Sequence, residues 1–299
     1  MPRRPFVGPR CGAARGTLFA PEELVNPFAT HDAADRAAPW LERLARLGFF
    51  AKGVLYVTIG ALAVSGALGQ RGTKSADGHG AMTEIYSAPL GRALLALLTV
   101  GLAGYGAWRI IEGLQDPQRR GTSAKGIALR LGYVASGVMH GVLAYTTASF
   151  AFRHHAGASE SQQAKAWSAR ALEIPGGISA LWITAVILVG YGAYEVFCAW
   201  TAKLDDELDF GHLSDGPRRL AIGISRFGIA ARGIVFGAMG VLFARAATHH
   251  APRESGGIAD SMHGLVQLGR WPFFMIATGV VAYGLYQFIC AKYRSITVR

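Results

Sequence analysis

Apolar residues in this chain run in long blocks with few polar interruptions, and the blocks are too long for a soluble core. Crossing the hydrocarbon of a bilayer takes about 20 residues of helix. Six stretches reach that length: Leu47–Leu68, Leu90–Leu114, Ile127–Phe152, Ile178–Trp200, Leu220–Ala247 and Pro272–Ala291. The fifth is the weakest, because only Gly233–Ala244 lies between Arg232 and Arg245. Both arginines can snorkel toward opposite faces, so the span stands. Proline falls at span edges (Pro89, Pro272) or in connections, which predicts six unbroken helices. The first 40 residues lack this pattern and hold six of the twelve prolines, as expected of a disordered basic tail. From Trp40 to Leu47, leucines at 41, 44 and 47 alternate with Arg43 and Arg46, which predicts an interfacial lead-in to the first span. A signal peptide is not expected, since no apolar run precedes Leu47.

The stretches repeat in pairs. The odd-numbered ones open alike, RLGFFAKGVLY from Arg46, RLGYVASGVMH from Arg130 and RFGIAARGIVF from Arg226. The even-numbered ones close alike, GYGAWR from Gly104, GYGAYE from Gly190 and AYGLYQ from Ala282. Opening Arg and closing Tyr are separated by 59, 61 and 57 residues (46 to 105, 130 to 191, 226 to 283). The fold expected is therefore all-α: a polytopic membrane helical bundle with six transmembrane helices from three parallel two-helix repeats. The repeats occupy 41–117, 124–203 and 218–294, behind the 1–40 tail.

Composition agrees. Charged residues make up 16% of the chain, apolar residues 51%, and the mean hydropathy is +0.27. The net charge of +11 is read as basic loops facing anionic lipid, with no nucleic acid as partner. The tails and even-to-odd connections carry 18 Lys and Arg against 9 on the opposite side, which places both termini in the cytoplasm. High Ala, Arg and Gly usage with short loops points to a bacterial inner membrane. Cys11, Cys198 and Cys290 form no disulfide framework.

The repeat pattern resembles a bacterial membrane-protein family catalogued as domain of unknown function 1206, over about Leu41 to Arg294. The resemblance rests on Arg46, Gly48, Lys52 and Gly53 with Tyr105, Trp108 and Arg109, and on Arg226, Gly228, Arg232 and Gly233 in the third opening. Ser136 departs from the basic residue of that pattern, and Glu195 and Gln287 stand where Arg is expected. The resemblance implies the three-repeat fold and carries no activity with it.

Ionisable residues inside the spans are the candidates for chemistry, since each costs about 2.5–3.5 kcal/mol at mid-bilayer. Lys52 and Arg232 occupy one repeat position, Arg109 and Glu195 another, and Glu112 lies a turn nearer the cytoplasm in the slot of Cys198 and Cys290. A single layer of three cations and two carboxylates is expected, with Glu195 pairing with Arg232 or Lys52. The plain alternative is that the cations snorkel to lipid phosphates. His140 lies near the midplane in a slot held elsewhere by Tyr56 and Phe236, so aromatic packing is its simplest role. Gly137-xxx-Gly141 and Gly233-xxx-Gly237 allow close helix contact, within the bundle or across a dimer face. The outer-loop histidines (His79, His154, His155, His249, His250, His263) match no zinc spacing, so neither metal nor cofactor is expected.

No catalytic signature is present, and an enzyme is not expected. The leading reading is a non-enzymatic scaffold or a lipid- or protein-binding module with a basic cytoplasmic face, binding anionic headgroups, a protein partner or a second copy of itself. The alternative is a carrier of a small solute or ion that uses the Lys52, Arg109, Glu195 and Arg232 layer.

Overall fold

The computed structural model describes residues 39–69, 75–115, 123–153, 158–201, 208, 210, 214–267 and 269–294. The N-terminal tail, His154, His155 and the acidic residues at 205–207 and 209 lie outside the described residues, as does the side chain of Glu112. Among the described residues the regular structure is helical, apart from an isolated bridge between Leu208 and Arg294. The α-helices are α1 Pro39–Ala67, α2 Gly78–Ser87, α3 Gly91–Gln115, α4 Ala124–Arg153, α5 Glu160–Glu173, α6 Gly177–Thr201, α7 Asp215–His249, α8 Ile258–Val266 and α9 Arg270–Tyr293.

Each expected span forms a continuous helix. Five of them, α1, α3, α6, α7 and α9, are long and apolar enough to cross a membrane. The helix α4 has 30 residues but is diluted by Ser136, His140, Thr146, Thr147 and Ser149. It takes its place as the sixth span through its equivalence to α1 and α7. The sequence pattern marks the fifth stretch as weakest, whereas the polar dilution falls on the third.

The most extensive packing joins neighbouring repeats. The helix α3 packs along α4, α6 along α7, and α9 returns to pack along α1. Glycine permits this approach. A Cβ on Gly106 of α3 would stand 2.9 Å from the Gly137 carbonyl oxygen of α4. On Gly192 of α6 it would stand 2.5 Å from that of Gly233 on α7. Gly137 and Gly233, read in sequence as packing or dimer residues, thus pack inside the bundle.

Arginines clamp the ends of two of these pairs. Arg46 Nη1 donates to the carbonyls of Ala291 and Lys292 at the end of α9, each at 2.8 Å. Arg130 does the same at the end of α3, to Gly113 and Leu114, each at 2.9 Å. At the opposite end Arg92 donates to Ala151 of α4 and Arg270 to Ala67 of α1, each at 3.1 Å. Helix C-termini carry unpaired carbonyls and the negative end of the macrodipole, so guanidinium groups there satisfy both.

Within repeats, α1 packs on α3 and α7 on α9, but α4 and α6 make no comparable contact. The Gly48 and Gly228 backbones of the opening helices lie against Tyr105 and Tyr283, while a Cβ on Gly132 of α4 would meet nothing within 4 Å.

The sequence pattern treats the connection inside each repeat as a loop, yet each holds a short helix (α2, α5, α8). Their starts have local causes. Asp77 caps α2 by accepting from Gly80 N at 2.8 Å, and Ser159 and Gln162 form a reciprocal capping box at α5. Glu160, in the first turn of α5, ties all three together by accepting hydrogen bonds from the backbone N–H groups of Gly78 and Ile258, which open α2 and α8. Burial, and then the nearby Asp77 carboxylate, raise its pKa from 4.5 to about 7.

Two predictions follow from this packing. Gly192→Ala places a methyl against the Gly233 carbonyl and should cost about 1–3 kcal/mol. Gly190→Ala, one residue pair away in open space, should be neutral or stabilising by up to about 1 kcal/mol. Detergent unfolding midpoints of the two variants decide it. For Glu160, the folded chain holds a proton at pH values where the unfolded chain has lost it. Stability should therefore fall as pH rises from 4.5 to about 7, and the loss should be complete above that. Glu160→Gln should flatten this slope in thermal melts; equal slopes in both proteins would remove the buried-carboxyl account.

Candidate functional site

Each inter-repeat pair places a closing tyrosine on the aromatic slot of the following repeat. Tyr105 meets His140 with ring centroids 4.6 Å apart, Tyr191 meets Phe236 at 5.2 Å, and Tyr283 meets Tyr56 at 4.7 Å. The aromatic role expected for His140 is thus realised. Its Nδ1 lies 2.7 Å from the Ser136 carbonyl, which can only accept, so the proton sits on Nδ1.

One turn toward the end at which α1 begins and α9 finishes lies the ionisable layer. The same helix pairs assemble it: Arg109 and Ser136 come from α3 and α4, Glu195 and Arg232 from α6 and α7, and Gln287 and Lys52 from α9 and α1. Of the two partners open to Glu195 in the sequence, the structure selects Arg232. Arg232 Nη1 donates to Glu195 Oε2 at 2.7 Å, with both side chains largely buried. Its guanidinium is also enclosed by aromatic faces, 4.8 Å from the centroids of Phe236 and Tyr283 and 5.4 Å from that of Tyr191.

The other two cations lean on Tyr105. The Lys52 ammonium sits 4.4 Å over its ring, and Arg109 donates from Nε to its hydroxyl at 3.1 Å. Arg109 also stacks 4.8 Å from Tyr133. The charges of Arg109 and Arg232 both bear on Lys52, so the three cations share one electrostatic neighbourhood. No carboxylate of the described residues forms an ion pair with Lys52. Aromatic faces can offset part of the cost of such buried cations, at about 2 kcal/mol each when desolvated.

Among the described residues, three buried polar atoms around this layer have no hydrogen-bond partner: Arg232 Nε, Trp108 Nε1 and Gln287 Oε1. Two of the three are donors, so the layer has spare donating capacity. Of the candidates from sequence, Lys52, Arg109, Glu195 and Arg232 converge, His140 borders them, and the Glu112 side chain lies outside the described residues. Tyr133, Trp108 and Gln287 are additions. Trp108 and Gln287 carry a signal in the repeats, because they fall in the same closing motif as Arg109.

No group of three or more His, Cys, Asp or Glu able to hold a metal occurs among the described residues, and Cys198 and Cys290 are buried and not joined in a disulfide. At the opposite end, Glu254 accepts from His249 at 2.9 Å and from Arg245 at 3.2 Å, and the His249 contact foremost lowers its pKa. These exposed contacts fasten the end of α7.

The Arg232–Glu195 pair yields a direct prediction. Glu195→Gln strands a buried guanidinium and should lower stability by about 3–5 kcal/mol, whereas Glu195→Gln with Arg232→Gln should recover most of it. Unfolding of the single and double variants in SDS measures the coupling, and additive losses would show that the pair is not an energetic unit.

Comparison with known proteins fits this three-repeat construction. A family described as Domain of Unknown Function (DUF1206) matches at residues 47–116, 131–202 and 227–294, once for each pair of long helices. A relative from Bacillus subtilis (strain 168), described as "Uncharacterized protein YxxB", is 27% identical over 264 residues, covering 87% of this chain and 93% of the relative. No solved structure matches. With three matches spanning most of its length, the chain belongs to the DUF1206 family.

Proposed function

We infer that this chain is a non-enzymatic binding module of the bacterial inner membrane, with both termini in the cytoplasm, that holds an anionic group at its charged layer. The observation that carries this reading is the clustering of three cations, Lys52, Arg109 and Arg232, in which the described carboxylate Glu195 is held by Arg232 and no described carboxylate pairs with Lys52. The sequence places at most two carboxylates, Glu195 and Glu112, at this level, so the layer is net positive inside a medium that penalises uncompensated charge. An anion supplied by lipid or by a partner relieves that imbalance. The basic loops support the same orientation, because they would hold the layer near the anionic leaflet.

A carrier of small anions would use the same residues, and the unpaired donors at Arg232 and Trp108 favour that second reading. The continuity of the long helices favours binding, since alternating access at the midplane commonly works through broken helices.

Lys52→Gln tests the binding reading with little structural risk, because it strands no partner carboxylate. Purified from native membranes, the variant should retain at most about a tenth of the anionic phospholipid carried by the wild-type chain, the loss expected from weakening the site by about 1.4 kcal/mol. Lipid mass spectrometry with zwitterionic lipid as internal reference gives the ratio. An unchanged ratio overturns the reading, and anion flux into liposomes containing the purified chain would replace it with the carrier.

A further inference from the structure

The pseudo-threefold order fails at one joint, between α4 and α6 of the second repeat, and the failure has a residue-level cause. Four positions before the closing tyrosine, repeats one and three carry Gly101 and Gly279. Their backbones lie against Leu47 of α1 and Ala231 of α7, drawing opening and closing helices together. The second repeat has Ile187 at that position, exposed on the surface of α6. The equivalent surfaces diverge accordingly. Ala51 and Ala231 are 0% and 4% exposed, while their counterpart Ala135 is exposed. Tyr105 and Tyr283 are 3% and 5% exposed, while Tyr191 is 37% exposed. Gly132 and Gly190 face open space.

This parted joint reaches the charged layer. Tyr191 forms part of the aromatic enclosure of Arg232, and Arg232 holds Glu195 one turn further along α6. His140 and Ser136 stand on the α4 side of the same level. Leu131 on α4 and Ile187 on α6, both exposed, give the joint apolar flanks, and Arg232 lies behind Tyr191.

We propose that the α4–α6 joint is a lateral portal for an anionic amphiphile, with one acyl chain lying between the two helices and a phosphate-bearing headgroup at the Lys52–Arg232 layer. This rests on the binding reading above and adds the occupant and its route. The occupant follows from complementarity: apolar walls within the membrane span select a hydrocarbon chain, and excess positive charge with an unpaired guanidinium Nε selects an anionic head. A zwitterionic lipid brings a second cation into a site already net positive. A free phosphate leaves the apolar flanks unmatched.

Gly132→Phe and, independently, Ala135→Phe fill the joint without replacing a charged residue of the layer, and the open space at Gly132 means that the fold should tolerate the first. The full chain in neutral detergent is titrated with dioctanoyl phosphatidylglycerol, dioctanoyl phosphatidylcholine and inorganic phosphate, and occupancy is read by native mass spectrometry. Thermal melts check that each variant is folded. The expected result is preference for phosphatidylglycerol over both other probes, with a loss of about tenfold in each joint variant and in Lys52→Gln, equivalent to about 1.4 kcal/mol. If only Lys52→Gln weakens phosphatidylglycerol, the anion site stands and the lateral portal is overturned. If inorganic phosphate competes at equal affinity, the acyl chain contributes nothing and the amphiphile is overturned. If the wild-type chain is a dimer that Gly132→Phe dissociates, a second copy covers the joint and the proposal fails. If no variant changes binding and the two lipids bind alike, the underlying binding reading falls as well.

Discussion

Backbone-to-backbone approach at glycine sets the geometry of this protein. In a membrane the hydrophobic effect gives helices little reason to pack on one another, so close van der Waals contact and interhelical polar contacts must do so. At Gly106 against Gly137, and at Gly192 against Gly233, nothing larger than hydrogen fits between the chains. Gly284 of α9 comes equally close to Gly53 and Val57 of α1. Once these three contacts are made, each closing tyrosine has one place to go, over the aromatic residue of the following repeat. The ionisable side chains one turn away are then delivered to a common level.

That level shows how a repeated scaffold accommodates charge. The three helix pairs are alike in their glycines and aromatics and unlike in their polar cargo. One pair carries a complete ion pair, another a cation opposite serine, and the third a cation opposite a neutral amide. Tyrosine and phenylalanine faces lie within 4.4–5.5 Å of each cation. The symmetric part of the sequence therefore builds the frame, and the asymmetric part determines the electrostatics.

Much of this was legible in the sequence, because membrane helices write their length and their repeats plainly. The six stretches, the matched openings and closings, and the Lys52, Arg109, Glu195 and Arg232 slots can all be read from spacing. Pairing across repeats was hidden. Spacing fixes which residues share a helix face, whereas the neighbour of that face depends on how three units close around an axis. The connecting helices α2, α5 and α8 were hidden by their shortness, and α5 also by its polarity, since it is held by a capping box and by Glu160 instead of by an apolar stripe. The parted α4–α6 joint did leave a trace, Ile187 in place of Gly101 and Gly279. Its meaning emerges only once the glycines are seen to hold helices together.

The pairing of α9 with α1 also has a consequence for assembly. Arg46 bonds to carbonyls 245 and 246 residues further along the chain, and Arg270 reaches back 203 residues to Ala67. The helix α1 leaves the ribosome well before α9, and thus finds its main partner only when α9 has been made. Until then, the Gly53 face of α1 and the cation at Lys52 lack the helix that finally covers them. The bundle is completed by the joining of its two ends, so loss of the final helix would deprive the first of its closest neighbour along with removing one span.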